Sequence, residues 1–450
     1  MNDPEPTDEQ RYPTLSADGR AMLLRLREHP HAPLYHNHSG NRLTAAEVER
    51  VRGFEDEVMA ARIDWTHDAP PAWLPDFIAQ CHREVPHYRA LGSVPQRLED
   101  LPSVSRADFS TDIAAFVPDT APLDRLINFR TSGTSGHPLL IASHPVVAAS
   151  YLAFHKRALR RFGVTLTAGR GEVGVVLLGM QRKCFTYVSV TPTMNEAGLA
   201  KINLHPNDWR DSADRAAYLD DLQPEVIAGD PISFTELLTL PMKWKPRALL
   251  CTSMALLTGL RRQLEQRFTC PVLDLYSMNE GGPIAVFDPA VDGHVLLQNR
   301  LFVEILDEND RRVPPGQRGE ITLTGGFNFC LPLLRYRTGD HASIDFSAAE
   351  PVLRGFSGRP PVRYRAADGT WLNNIEITHA FKDLSLPQWS LHQAADGGMT
   401  LRHAGGGHQD EPARTVLQRL FGPLPLQIHP LPAGGDKVIQ YTSDLPDPHA

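Results

Sequence analysis

Residues 129–138 read FRTSGTSGHP, with Thr131, Ser132, Gly133, Thr134, Ser135 and Gly136 alternating small hydroxyls and glycines. Such a backbone exposes N–H groups and hydroxyls where bulky side chains would block approach, which suits a phosphate chain. The same composition suits a plain surface turn. The GxxxxGK[ST] spacing is absent, and His137 stands where a lysine would be expected. A second stretch, DLYSMNEGGPIA at 274–285, runs from an apolar strand into polar residues and two glycines. At the carboxyl end of such a strand Tyr276 could stack on a base, and Glu280 could hold magnesium beside a triphosphate. The plain alternative is a strand-end turn with a solvated glutamate. A third stretch, RYRTGD at 335–340, ends in Asp340 on a Thr-Gly turn. That carboxylate suits two vicinal hydroxyls, as on ribose, although an Asp in an ordinary turn reads the same. Gly358 and Arg359 stand at a proline-punctuated joint, and Lys437 lies on a Gly-led loop near the end.

The elements that must position these residues follow from periodicity. LTAAEVERVRGFEDEVMAARI reads as an amphipathic helix, with a capping box at Thr44 and Glu47 and apolar Val48, Val51, Phe54 and Val58 at helical spacing. LPDFIAQCHREV is a second helix, ending before Pro86. From residue 126 strands and helices alternate. The strands are EVGVVLLGM, PEVIAGD, KPRALLCTS and CPVLDLYS, and helices stand between them. That order predicts an α/β fold with a parallel sheet covered on both faces. After residue 300, RLFVEILDENDRRVPPGQRGEITLTG reads as two strands around a charged turn. Residues 1–20, acidic and proline-rich, are expected to be poorly ordered. A boundary is expected near Arg359, where Gly358, Pro360 and Pro361 punctuate the chain. It divides a large domain, 1–358, from a small one, 359–450.

Composition narrows the function. The chain has 450 residues, 42% of them apolar and 22% charged, and a formal charge of -8 with both signs interspersed. Nucleic acid and anionic membrane would need a basic face, so neither is expected as a main partner. The five cysteines, Cys81, Cys184, Cys251, Cys270 and Cys330, are scattered, which points to a reducing compartment, the cytoplasm. The first residues lack the basic and apolar regions of a signal peptide. No apolar run reaches the roughly 18 residues that span a membrane. His29, His31, His36 and His38 cluster in EHPHAPLYHNHSG, but prolines and a glycine break the segment, and a loop is the simpler reading than a metal site. Lysine is scarce, so a lysine acting in chemistry has few candidates.

The five stretches, in this order and at these intervals, resemble the adenylate-forming superfamily of acyl-CoA synthetases and adenylation domains. More narrowly they resemble its phenylacetate–coenzyme A ligase branch, through VPHYRALG, LEDLPSVSRADF, VPPGQRGEITLT and PLLRYRTGD. The likeness covers roughly residues 75–345 well and the last segment loosely. It implies a large domain of parallel sheets with helices and a small β-barrel-like part, then a small, mobile α+β domain. It implies activation of a carboxylic acid by magnesium-ATP to an acyl-AMP, then transfer to coenzyme A. By position Thr131, Ser132, Gly133, Thr134, Ser135 and Gly136 would hold the β- and γ-phosphates. Tyr276 would stack on adenine, Glu280 would ligate magnesium, and Asp340 would bind the ribose. Arg359 would assist from the hinge, and Lys437 would bridge the carboxylate and the α-phosphate.

The resemblance has departures. Asn279 replaces the usual hydroxyl residue, and its amide can still donate near the acyl phosphate. Pro360, Pro361 and Val362 follow the hinge arginine, and YRAADGTWLNNIEI lacks the usual glycine-rich loop of the thiol tunnel. These leave an amine or a carrier-protein thiol as alternative acceptors, and a nucleotide-binding scaffold without catalysis as a reading outside enzymes. The branch favours small aromatic acids. Phe185, Tyr187, Met278, Pro283 and Ile284 are candidates for such a pocket, or simply core. No metal other than magnesium is expected. A carrier protein and a homodimer stand as the expected macromolecular partners.

Overall fold

The computed structural model describes residues 6–95, 97–130, 140–180, 184–357, 362–373, 377, 380–381, 383–386, 389–431 and 441–445. The chain divides into two compact units. The first comprises Met1–Arg42, Phe162–Asp274 and Pro361–Ala450; the second comprises Leu43–Arg161 and Leu275–Pro360.

In the first unit, strands Ala197–Asn203, Val173–Gly179, Val226–Gly229 and Ala248–Cys251 lie side by side and parallel, followed by residues 272–274 of the strand Val272–Met278. An antiparallel edge strand, Tyr187–Thr191, completes the order. The parallel strands are nearly continuous apolar runs because helices cover them; Val176, Leu178, Ile227 and Leu249 are buried with Phe234 and Leu264 from the helices Pro231–Thr239 and Thr258–Phe268. The alternation read from the sequence is therefore realised here.

Of residues 1–20, expected to be poorly ordered, Asp8–Arg11 form a helix with no buried residue and Ala17–Arg20 begin the helix Ala17–Glu28. Thr7 and Gln10 form a capping box on the helix Asp8–Arg11. Tyr12 is buried, and its hydroxyl donates to the Val188 carbonyl at 3.1 Å. Ser16 caps the helix Ala17–Glu28, and its N–H donates to Glu196 at 2.8 Å.

The C-terminal part of this unit is α+β. Its strands run in the order Leu426–Pro430, Met399–His403, Trp389–Gln393 and Tyr441–Ser443, with the helix Asp410–Phe421 packed on them. Tyr364, Phe381, Trp389, Leu401 and Phe421 form its core, together with Leu257 at the start of Thr258–Phe268. Arg262 on that helix pairs with Asp383 at 3.1 Å.

The second unit has a different texture. The capping box at Thr44 and Glu47 opens the helix Ala45–Ala60, with Val48, Val51 and Val58 inward. Ile127–Arg130 and Leu140–Ser143 form a separate antiparallel pair, and this unit's strands after residue 274 form an antiparallel succession. Leu301–Leu306, Gly319–Gly325, Leu333–Asp345, Val352–Ser357, Gly293–Leu296 and Gly282–Asp288 follow in order, and residues 275–278 end it. The chain passes from one unit to the other inside a single strand, Val272–Met278. Among the described residues no helix is long and apolar enough to cross a membrane.

Asp274, at the end of the parallel succession, has its carboxyl pushed up to about 7 by burial, against the opposing pull of Arg261. An unfolded aspartate titrates near 3.9. Between those values the folded chain binds more protons than the unfolded one, so this group's contribution to stability falls as pH rises from about 4 to about 7. Asp274→Asn should therefore gain stability relative to wild type between pH 5 and pH 8, read as the difference in melting temperature. An unchanged or reversed difference would contradict the burial account.

Candidate active site

The strand Val272–Met278 turns back into Gly282–Asp288 through a three-residue loop, Asn279, Glu280 and Gly281, since Met278 pairs with Gly282. Gly282 has φ +69°, and a Cβ there would meet the Phe327 ring at 2.4 Å, so glycine is required at that step. The loop is tied on both sides. The Tyr151 hydroxyl donates to the Asn279 carbonyl at 3.2 Å. The buried Gln298 amide donates to the Gly281 and Pro283 carbonyls at 2.6 and 2.8 Å.

Glu280 is thereby held inside at 4% exposure. Its Oε1 accepts from the Arg106 guanidinium at 2.9 Å and from the Tyr336 hydroxyl at 3.3 Å. Oε2 has no hydrogen-bond partner among the described residues.

Asp340 is placed by a break in the ladder. Thr322 pairs with Arg337 and Glu320 with His341, so residues 338–340 bulge from the strand Leu333–Asp345. The bulge is locked internally. Gly339, at φ +78°, donates its N–H to Glu320 at 2.9 Å, and the Thr338 hydroxyl donates to the Ile321 carbonyl at 2.9 Å. The Asp340 N–H donates to the Thr338 hydroxyl at 3.0 Å. Glu320 is held in turn by Arg337 at 2.6 Å.

Two spans of the same length then clasp each other antiparallel. The Tyr276 hydroxyl donates to Asp340 at 2.9 Å, and the Tyr336 hydroxyl donates to Glu280. Burial, first, and the neighbouring carboxylates push both phenols up, so each stays a donor. The result is two carboxylates on a shared scaffold, one on a loop and one on a bulge, with their tyrosines fixed below. A carboxylate with one oxygen committed and one without a partner fits a magnesium ion that takes its other ligands from phosphates and water.

The residues expected from sequence distribute as follows. Tyr276, Asn279, Glu280 and Asp340 come together in the second unit. The Tyr276 ring is nearly covered, with Phe356 at 4.3 Å between centroids. Asn279 is exposed, and its carbonyl is the group that Tyr151 binds. Met278 is half-buried against the core and Pro283 is buried, while Ile284 is fully buried within the core itself. Phe185 is 53% exposed in the first unit, with its ring 5.6 Å from that of Tyr187. Thr131, Ser132, Gly133, Thr134, Ser135, Gly136, Arg359 and Lys437 lie outside the described residues. Three of the clustered histidines pair with carboxylates: His29 with Asp221, His31 with Asp214 and His36 with Asp208.

Sequence reasoning missed Arg106, Tyr336, Tyr151 and Gln298. One signal was available. Tyr336 precedes Asp340 by the same interval at which Tyr276 precedes Glu280.

None of the family models compared with the chain matches it. A stretch of 99 residues is 34% identical to the phenylacetate-coenzyme A ligase of Pseudomonas putida, covering 21% of this chain and 23% of that one. Over 257 residues the chain is 20% identical to Protein CapK of Staphylococcus aureus, 55% of this chain and 54% of that one. The matches thus span about a quarter and about half the length of these curated relatives. Among solved structures, a 2-hydroxyisobutyryl-CoA ligase in the postadenylation state, in complex with R3-HIB-AMP, superposes with a TM-score of 0.60 at 18% identity, covering 89% of this chain and 90% of that chain. The clasped carboxylates therefore sit on a known scaffold: the chain has the fold of the adenylate-forming acyl-CoA ligases.

Proposed function

We propose that the protein activates a small carboxylic acid with ATP, releasing pyrophosphate, and passes the acyl group of the resulting acyl-AMP to coenzyme A, releasing AMP. The observation that carries this reading is the clasp of Tyr276 with Asp340 and Glu280 with Tyr336. It supports one carboxylate facing ribose hydroxyls and one facing a cation, as nucleotide triphosphate chemistry needs. Asp340 would hold the ribose and Glu280 would hold magnesium beside the phosphates. Thr131, Ser132, Gly133, Thr134, Ser135 and Gly136 hold the phosphates, and the Asn279 side chain, exposed on the loop, donates beside the acyl phosphate. Lys437 meets the charge that builds on the α-phosphate, and Arg359 is the hinge of a small mobile domain, 359–450. The acid is aromatic. The 34% identity to a phenylacetate-coenzyme A ligase over 99 residues supports that class. Ile284 serves the core.

ATP–pyrophosphate exchange across a panel of acids tests the first half-reaction. Exchange is expected with aromatic acids, followed by a coenzyme A thioester detected by mass. No exchange with any carboxylate would sink the reading. Exchange without a thioester would turn it toward an amine or carrier-protein acceptor.

Two variants test the roles. Tyr276→Phe removes the donor that fixes Asp340 and keeps the ring. The preference for ATP over 2′-deoxy-ATP should fall about fivefold, the effect of roughly one hydrogen bond. An unchanged preference would show that Asp340 does not depend on the hydroxyl. Lys437→Ala should lower the exchange rate by about a hundredfold or more while ATP affinity holds, because the charge it meets exists only in the transition state. Near wild-type exchange would remove Lys437 from the chemistry.

A further inference from the structure

We infer that Arg106 is the positioning residue for Glu280: it orients and neutralises the buried carboxylate so that one oxygen faces a cation, and the metal dependence of nucleotide binding hangs on it. The inference rests on the nucleotide-binding reading above.

Arg106 reaches this place by construction. Val104 forms a parallel bridge to Tyr336, accepting the Arg337 N–H at 2.7 Å and donating its own N–H to the Arg335 carbonyl at 3.0 Å. The segment is thus clamped to the strand on both sides of Tyr336. Ser105 and Asp108 then form a capping box that opens the helix Arg106–Thr111. Phe109, further along that helix, stacks on Tyr336 at 4.8 Å with the rings 16° apart. Bridge, cap and stack leave the Arg106 side chain next to Glu280.

The chemistry of the pair is asymmetric. Glu280 is 4% exposed and Arg106 31%, so the guanidinium reaches from the rim to a carboxylate inside. An anion that deep needs a counter-charge. Arg106 and Tyr336 both donate to Oε1, and Oε2 takes no hydrogen bond among the described residues. Groups that hold a ligating carboxylate govern metal affinity although they never touch the metal. A lysine would keep the charge but as a compact ammonium, without the planar guanidinium that now places Nη1 on Oε1.

The test is calorimetric titration of the full chain with ATP, once with magnesium and once with EDTA. Wild type should bind more tightly with magnesium. Arg106→Met should reduce that magnesium-to-EDTA ratio about tenfold, toward the value for Glu280→Gln, and leave the EDTA affinity unchanged. Arg106→Lys should recover part of the ratio. The double variant Arg106→Met with Glu280→Gln should be no worse than Glu280→Gln alone. A wild-type ratio in Arg106→Met, equal losses with and without metal, or additive losses in the double variant would overturn the inference. Should Arg106→Met fail to fold, Arg106→Gln and Arg106→Lys give the same comparison. Wild type that binds no ATP in either condition would overturn the underlying reading; magnesium-dependent binding that ignores Arg106 would overturn this inference alone.

Discussion

Glu280 lies almost wholly out of water, with one oxygen held by Arg106 and Tyr336. A buried carboxylate is tolerated only where its partners are supplied at fixed positions, and the centre of the second unit is built to supply them. Gly282 lets the hairpin turn tightly beneath Phe327. Gln298 and Tyr151 hold the loop carbonyls on either side of the carboxylate. The Val104 bridge brings in the guanidinium, and the strand that carries Tyr336 also carries Asp340. Disturbing the first pair therefore disturbs the second.

The same strand carries a more demanding residue. Arg335 is fully buried and has φ +49°, a left-handed conformation that a side chain adopts only when its surroundings insist. Its guanidinium donates to the Leu101 and Asp310 carbonyls and lies 3.6 Å from Glu304, which burial pushes up to about 7. These contacts hold the segment before Arg106 and the turn at Asp310 against one strand. Arg337 then joins Asp310 to Glu320, which fixes the bulge under Asp340. A run of three residues, Arg335 to Arg337, thus anchors both halves of the clasp.

Much of this was legible in the sequence wherever the cause is local. The capping box at Thr44 and Glu47, the parallel strands with their helices, and the loop bearing Glu280 all express short-range rules. Arg106 was not legible, because it meets Glu280 across 174 residues and nothing in SRADF marks it. The bulge at 338–340 depends on which residues of Gly319–Gly325 it faces, a matter of register between strands. The anchoring of Tyr12 and Ser16 escaped a compositional reading for the same reason. Tyr12 and Ser16 find their partners, Val188 and Glu196, far along the chain. Ile284 shows the limit of residue type as a guide, since an apolar residue beside a site and one in the core look alike until packing separates them.

The clasp of Tyr276, Glu280, Tyr336 and Asp340 is proposed as the floor of a nucleotide site. A crystal structure of the chain with AMP tests it most directly. The ribose hydroxyls should lie within hydrogen-bond distance of the Asp340 carboxylate, with the Tyr276 hydroxyl still donating to it. AMP bound elsewhere, or a ribose turned away from Asp340, would contradict it.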